Sequence, residues 1–188
     1  MKVFDFDGTI YDGDSSIDFY LFCLRKKWRV LLYLPLQMWG FFGYIIKFYS
    51  KTQLKERFFS FLRAFDDIDD VLNDFWVTHV ERLKPVILSL LDSKTVIISA
   101  SPEFLLYPAV KSMSIGTLIA TRMDKSCGRI TGNNCAGEDK VSRFREQVEE
   151  GATITEFYSD SMKDKYMAGM ATNAFFVNGH TITPWPRG

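Results

Sequence analysis

Short apolar runs alternate along this chain with longer stretches whose apolar positions recur every three or four residues. Val3, Phe4 and Phe6 form the first run, Val96 to Ile98 the second, Leu118 to Met123 a third, Ile154 to Tyr158 a fourth and Ala174 to Val177 the last; each suits a buried strand. Helical spacing connects Leu54, Phe58, Phe59, Phe61 and Leu62, then Val71, Leu72, Phe75 and Trp76, and later Val141, Phe144 and Val148. Glu103 to Met113 also reads as a helix, and a turn at Asp124 to Gly128 leads to a short return at Arg129 to Gly132. Strands alternating with helices predict an α/β fold: a three-layer, Rossmann-like, mainly parallel sheet with its functional groups at the strands' carboxyl ends.

About ninety residues separate Asp7 from Ser99, far too many for one crossover helix, so the pattern predicts an inserted all-helical cap. Turn-rich Tyr11 to Ser16 opens it and caps a helix that starts near Ile17; Pro85 marks its end, before a helix that leads to Thr95. The expected division is a discontinuous core of residues 1–13 and 87–188 around a cap of residues 14–86.

The cap contains the clearest departure from ordinary patterning. Residues 30–46 carry no charge and are rich in Leu, Phe and Ile, with Arg25, Lys26, Lys27 and Arg29 before them and Lys47 and Lys51 after them. The run barely reaches membrane-spanning length, and a span would put Asp5 across a bilayer from Ser99, Lys140 and Asp160. Two readings remain. One is a helix or helical hairpin, broken near Pro35 and Gly40, that dips into one leaflet of a membrane; the other is an apolar cap helix buried in a protein interface. The flanking cations and Trp28, Tyr33, Trp39, Tyr44 and Tyr49 favour an anionic membrane surface.

A formal net charge of zero and the lack of a basic tail argue against a nucleic-acid partner. Cys23, Cys127 and Cys135 have no Cys-x-x-Cys spacing and read as reduced thiols, and the first apolar run is too short for a signal peptide. These features predict a cytoplasmic protein, associated with the cytoplasmic face of the membrane if residues 30–46 meet lipid. Oligomeric state leaves no mark in the sequence. His79 and His180 stand alone, Asp66, Asp67, Asp69 and Asp70 lack calcium-loop spacing, and Lys55, Arg57 and Arg63 read as a solvated helix face.

Acids, hydroxyls and a lysine stand at the strand ends. Asp5-Phe-Asp7-Gly8-Thr9 follows the first strand, Ser99-Ala100 ends the second, Lys140 lies near the start of a helix opened by Gly137, and Asp160 and Asp164 follow the fourth. Gly8 lets the backbone turn close to an anion while Thr9 and neighbouring amides face its oxygens, and the second acid pair suits a hard divalent cation. In this order the set resembles the haloacid dehalogenase superfamily of aspartyl phosphatases. The resemblance implies Asp5 as nucleophile, and Asp7 as the acid that protonates the leaving oxygen and later activates water. It places Gly8, Thr9, Ser99 and Ala100 around the phosphate and Lys140 against the shared negative charge. It also implies Mg2+ held by Asp5, Asp160 and the main-chain carbonyl of Asp7, with Asp164 behind them.

The substrate divides the resemblance further. Leu34-Pro-Leu36, Ser99-Ala-Ser-Pro102, Gly137-Glu-Asp-Lys140 and Tyr158-Ser-Asp-Ser161 look like the haloacid-dehalogenase-type phosphatidylglycerophosphatases, which implies a phosphorylated lipid and phospholipid metabolism. The capped layout also resembles the phosphoserine phosphatase branch, which implies a soluble phosphorylated metabolite, although Gly8 stands where that branch has Ser. A non-catalytic phosphate-binding module would be marked by loss of Asp5, Asp7 or Lys140, and all three are present.

Overall fold

The computed structural model describes residues 1–148 and 151–186; positions 149, 150, 187 and 188 of the predicted core stretch lie outside the described residues. The chain starts with β1 (Lys2–Phe4), then leaves the sheet for α1 (Ser15–Lys26), α2 (Leu34–Ile45), α3 (Lys51–Phe58) and α4 (Asp69–His79), with 3-10 turns at Trp28–Tyr33 and Phe59–Ala64. It returns through the short α5 (Pro85–Leu88) to β2 (Val96–Pro102), α6 (Glu103–Val110) and β3 (Thr117–Thr121). It then continues as α7 (Glu138–Gln147), β4 (Ile154–Ser159), α8 (Lys165–Ala168), β5 (Ala171–Asn178) and β6 (Thr181–Pro184).

The strand order is β3-β2-β1-β4-β5-β6, parallel throughout except for antiparallel β6. Period-two alternation sends Val3 to a cluster with Ile98, Ile119, Phe144 and Phe157, and Phe4 to the other face, where its ring stacks on Tyr158 at 4.4 Å. Helices cover both faces, giving the three layers that the alternation predicts. Successive strands leave β1 on opposite sides, so its carboxyl end opens at the point where the strand order reverses, the place where such sheets leave a crevice.

The observed elements differ from the predicted ones in several local places. β5 is not the last strand: Thr181–Pro184 pairs with it as an edge, and Pro184 is tolerated there because an edge strand can spare a donor. The return after Met123 is a single bridge to Ile130 rather than a second strand. The helix expected before Thr95 shrinks to α5, and helical spacing from Phe58 to Leu62 passes from α3 into a 3-10 turn at Phe59.

Residues leaving and re-entering the core pair with each other. Tyr11 bridges Leu83, the Asp12 amide donates to the Arg82 carbonyl at 2.8 Å, and the Lys84 amide donates to the Ile10 carbonyl at 2.8 Å. The helical insertion also shares one apolar cluster with this face of the sheet: Trp76 lies edge-on to Phe6 and Tyr11 and its indole donates to the Leu105 carbonyl at 2.7 Å. Removing Phe6, Tyr11 or Trp76 would therefore open a cavity beneath both parts.

Helix α2 is built inside out. Its buried positions are Gln37, Gly40 and Gly43, while Leu36, Met38, Trp39, Phe41, Phe42 and Ile45 are exposed. Gln37 accepts from the Tyr20 hydroxyl and donates to the Phe58 carbonyl, both at 2.8 Å, which ties α2 to its neighbours through polar contacts. A Cβ at Gly40 would lie 2.7 Å from the Arg57 side chain, and the Arg57 guanidinium stacks on the Tyr49 ring at 3.6 Å. Gly40 thus admits a neighbour and does not break the helix, contrary to expectation; Pro35 sits in the first turn, where its missing donor costs nothing. Among the described residues no helix is long and apolar enough to cross a membrane. The twelve residues of α2 extend about 18 Å, against about 30 Å of hydrocarbon.

Candidate active site

Three buried groups meet beneath the end of β1. The Lys140 ammonium donates to Asp5 Oδ1 at 2.8 Å and to Asp164 Oδ2 at 2.6 Å, and Asp164 also accepts from the Ser159 hydroxyl at 2.9 Å. Lys140 reaches them from the first turn of α7, which Gly137 opens at φ 62°. Burial pushes the Asp5 carboxyl up to about 7 even against the pull of Lys140. Burial opposes the charge of Lys140 as well, but Asp5 and Asp164 outweigh it and hold the ammonium above the ordinary lysine value.

Asp7 is held from two sides. The Ser101 hydroxyl donates to its Oδ2 at 2.5 Å from β2, and the Ser15 amide donates to its Oδ1 at 2.7 Å from the start of α1. Ser16 and Ser101 hydroxyls lie 3.0 Å apart, so the insertion's first turn touches the strand that carries Ser99. Burial, then the nearby Asp14, raises the Asp7 carboxyl, and the Ser101 and Ser15 donors oppose that rise. The register of β2 against β3 shifts between Ile98 and Pro102; the irregularity turns Ser99, Ala100 and Ser101 toward this place.

These residues line a cavity of about 850 Å³ together with Gly8, Ser99, Ala100, Asp160 and Lys55. A second cavity of about 770 Å³ lies between α4 and α6, but its charged lining residues are exposed or half-buried and its Lys125 is already paired with Asp69. The first cavity has the chemistry. A family model for haloacid dehalogenase-like hydrolases matches residues 3–169. The chain belongs to the haloacid dehalogenase-like hydrolase family. Protein CicA of Caulobacter vibrioides (strain NA1000 / CB15N) is 33% identical over 84 residues, 42% of this chain and 38% of CicA. Histidinol-phosphatase of Neisseria meningitidis serogroup C (strain 8013) is 27% identical over 144 residues, 69% of this chain and 60% of that protein. The matches thus span about two-fifths to three-fifths of these relatives' length. A crystal structure of a protein of unknown function from Bordetella pertussis Tohama I has a TM-score of 0.69 at 19% identity, covering 93% of this chain and 87% of its own.

Against the haloacid dehalogenase-like frame, most predicted site residues come together around one cavity, with two corrections. Thr9 does not face it: it is fully buried, its amide donates to the Phe6 carbonyl, and its hydroxyl accepts from the Asp160 amide at 3.0 Å. The Gly8 amide is likewise turned to the Gly13 carbonyl, so this loop offers neither amide to an anion. Asp160 and Asp164 do not act as a pair, because Asp164 is spent on Lys140 and Ser159 while Asp160 lies against Gly8. Burial raises the Asp160 carboxyl.

Two lysines escaped sequence reasoning. Lys55 is not on a solvated face: its ammonium bonds the Ala100 carbonyl and, at 3.0 Å, Asn134 Oδ1, and burial lowers it to about 8. Lys84, 2% exposed, donates to the Gly8 carbonyl at 2.5 Å from the returning link. Burial lowers its pKa. The only sequence signal for either was position: Lys84 precedes the Pro85 boundary, and Lys55 lies one turn before Phe58 and Phe59.

Proposed function

We propose that this chain is a magnesium-dependent phosphomonoesterase that works through an aspartyl-phosphate, with a lipid phosphate such as phosphatidylglycerophosphate as substrate. The observation that carries the reaction class is the buried Asp5–Lys140–Asp164 set beside Asp7 in one cavity. Asp5 attacks phosphorus, the phosphorus–oxygen bond to the leaving group breaks, and Asp7 gives its proton to that oxygen. Asp7, now a carboxylate, takes a proton from water as the water oxygen attacks the acyl phosphate. The bond from phosphorus to Asp5 then breaks, phosphate leaves and both acids return to their starting states. Lys140 offsets the charge that Asp5 and phosphate share, and Ser99 donates to a phosphate oxygen.

Magnesium fits the donors. Asp5, Asp7, Asp160 and Asp164 line one cavity with the Lys140 and Lys55 ammoniums, an excess of acids over lysines, and burial holds Asp5 at about 7. Among the described residues no three His, Cys, Asp or Glu side chains converge as a metal cluster. Two carboxylates, Asp5 and Asp160, with the Asp7 carbonyl suit an ion that keeps several waters. When bound, Mg2+ supplies charge neutralisation for the approach of a dianionic ester. A Cβ at Gly8 would lie 1.9 Å from Asp160 Oδ2 at a backbone φ of +71°. Gly8→Ala is therefore expected to displace Asp160 and raise the Mg2+ concentration for half-maximal activity by about 10- to 100-fold; an unchanged Mg2+ titration would remove Asp160 from the metal site.

The lipid reading rests on α2. An apolar outer face of this extent, with Arg25, Arg29, Lys47 and Lys51 exposed at its ends, suits in-plane contact with an anionic bilayer. The Neisseria relative, a histidinol-phosphatase by name, favours the second reading, a small soluble ester. Phosphate release with Mg2+ from phosphatidylglycerophosphate in anionic vesicles, beside phosphoserine and glycerol phosphate, separates them, with Asp5→Asn as the blank. Preference for the vesicle-borne lipid supports the first reading; preference for a soluble ester establishes the second.

A further inference from the structure

The catalytic cavity has two chemically different ends. Strand ends of the sheet supply its acids, while α1, α2 and α3 supply Ile17, Phe41, Leu54 and Phe58. Ile17 is 46% exposed and Phe41 55%, so this wall is the open side. Phe41 belongs at once to the cavity and to the apolar outer face of α2, which makes the two surfaces continuous. Lys55 marks the boundary between the ends: its ammonium is drawn inward onto Ala100 and Asn134, while Leu54 and Phe58 on the same helix offer only hydrocarbon. These four side chains offer a ligand only hydrocarbon, while Lys51 and Thr52 of α3 and Ser16 of α1, in the same lining, can meet a polar linker between the phosphate and a tail.

We infer that Ile17, Phe41, Leu54 and Phe58 form a subsite for the hydrocarbon tail of a phosphate monoester, the tail leaving across Phe41 onto the outer face of α2. The inference rests on the phosphomonoesterase reading above and adds to it which residues select the substrate. Phosphorus at Asp5 fixes one end of the ligand, so the apolar wall selects by the length of its hydrocarbon. The same wall would let the ester be drawn from a lipid surface without full exposure of its tail to water, because the tail passes from one apolar surface to another.

Monoalkyl phosphates from ethyl to octyl, kept monomeric, test this with the Mg2+-loaded full chain. Fully burying a methylene is worth about fourfold in affinity, and a half-exposed wall about half that energy, so kcat/KM should rise about twofold to fourfold per added carbon before it levels. The double variant Ile17→Ser, Phe41→Ser should flatten this slope. Both residues are exposed, and the slope is a ratio within one protein, so a general change in rate does not affect it. Ile46→Ser, 74% exposed on the outer face but outside the cavity lining, should keep the slope. A flat wild-type series with ready hydrolysis of every ester would overturn the tail subsite and leave the phosphatase intact. A slope that survives the double variant, or disappears in Ile46→Ser, would overturn the assignment to this wall. No hydrolysis of any member, ethyl phosphate included, would overturn the phosphomonoesterase reading itself.

Discussion

Asp5→Asn should cut phosphate release by at least about 10⁴-fold, the scale expected for loss of a nucleophile, and yet make the metal-free protein more stable at pH 8. The two effects share one cause. Asp5 is buried with Asp7 and Asp164 nearby, and its carboxyl sits at about 7 instead of the ordinary 3.8. A carboxyl raised in the folded state contributes stability that is complete below its ordinary value and is lost as pH rises through the folded value. Metal-free wild type should therefore lose stability between about pH 4 and 7, with an upper bound of about 4 kcal/mol from the distance between 3.8 and 7. Asparagine carries no charge into the site, and Lys140 keeps its 2.6 Å contact with Asp164, so the variant escapes this loss. Urea unfolding at pH 8 without metal should favour the variant by on the order of 1–3 kcal/mol, and the two curves should converge near pH 4. Saturating Mg2+ should reverse the order, because the ion stabilises only the protein that retains its carboxylate ligand. A variant less stable than wild type at pH 8 without metal would mean that Asp5 is not under electrostatic load.

The candidate site was readable from the strand ends for a physical reason. Buried parallel strands must be apolar, so a polar residue at their carboxyl ends stands out: Asp5 after Val3-Phe4, Ser99 after Val96-Ile97-Ile98, Asp160 after Phe157-Tyr158-Ser159. Lys140 was legible because a glycine and a helical face flank it. What spacing could not convey was which partner each polar atom takes. Thr9 reads as a phosphate ligand, but the hydroxyl that would face an anion is used to hold the Asp160 amide, more than 150 residues away in sequence. Lys55 carries the signature of a solvated helix face, and only the packing of α3 over β2 directs it inward. In α2 the failure is of another kind. Periodicity marks an apolar helix correctly but does not tell which face is buried, and here Gln37, Gly40 and Gly43 are the inward positions because Tyr20, Arg57 and Tyr49 need the space. The edge strand Thr181–Pro184, short and interrupted by polar residues, has no alternation strong enough to distinguish it from a tail.

Replacing Lys140 should have the opposite sign to replacing Asp5. Lys140→Met keeps the volume but leaves Asp5 and Asp164 buried with no cation between them, and breaking a buried pair from one side costs about 3–5 kcal/mol. The loss should be largest at pH 8, where the Asp5 carboxyl, raised by burial and no longer pulled down by Lys140, carries most charge, and smaller at pH 5, where it is protonated. Activity should fall at least about 10³-fold, since phosphate would then approach Asp5 without the ammonium that offsets their shared charge. Lys140→Arg restores charge but not shape: a planar fork cannot occupy the point between two carboxylate oxygens at 2.8 and 2.6 Å, so stability should recover more than turnover does. Adding Asp5→Asn to Lys140→Met should return part of the lost stability, because the buried negative charge falls to that of Asp164 alone, which Ser159 still bonds at 2.9 Å. The double-variant cycle at pH 8 would then show a coupling of at least about 1 kcal/mol. Strict additivity would separate the two residues energetically and remove the reason for placing the nucleophile and its lysine in one buried set. With coupling, the features that make the metal-free fold costly at neutral pH are the ones that prepare Asp5 to meet a cation and a phosphate together.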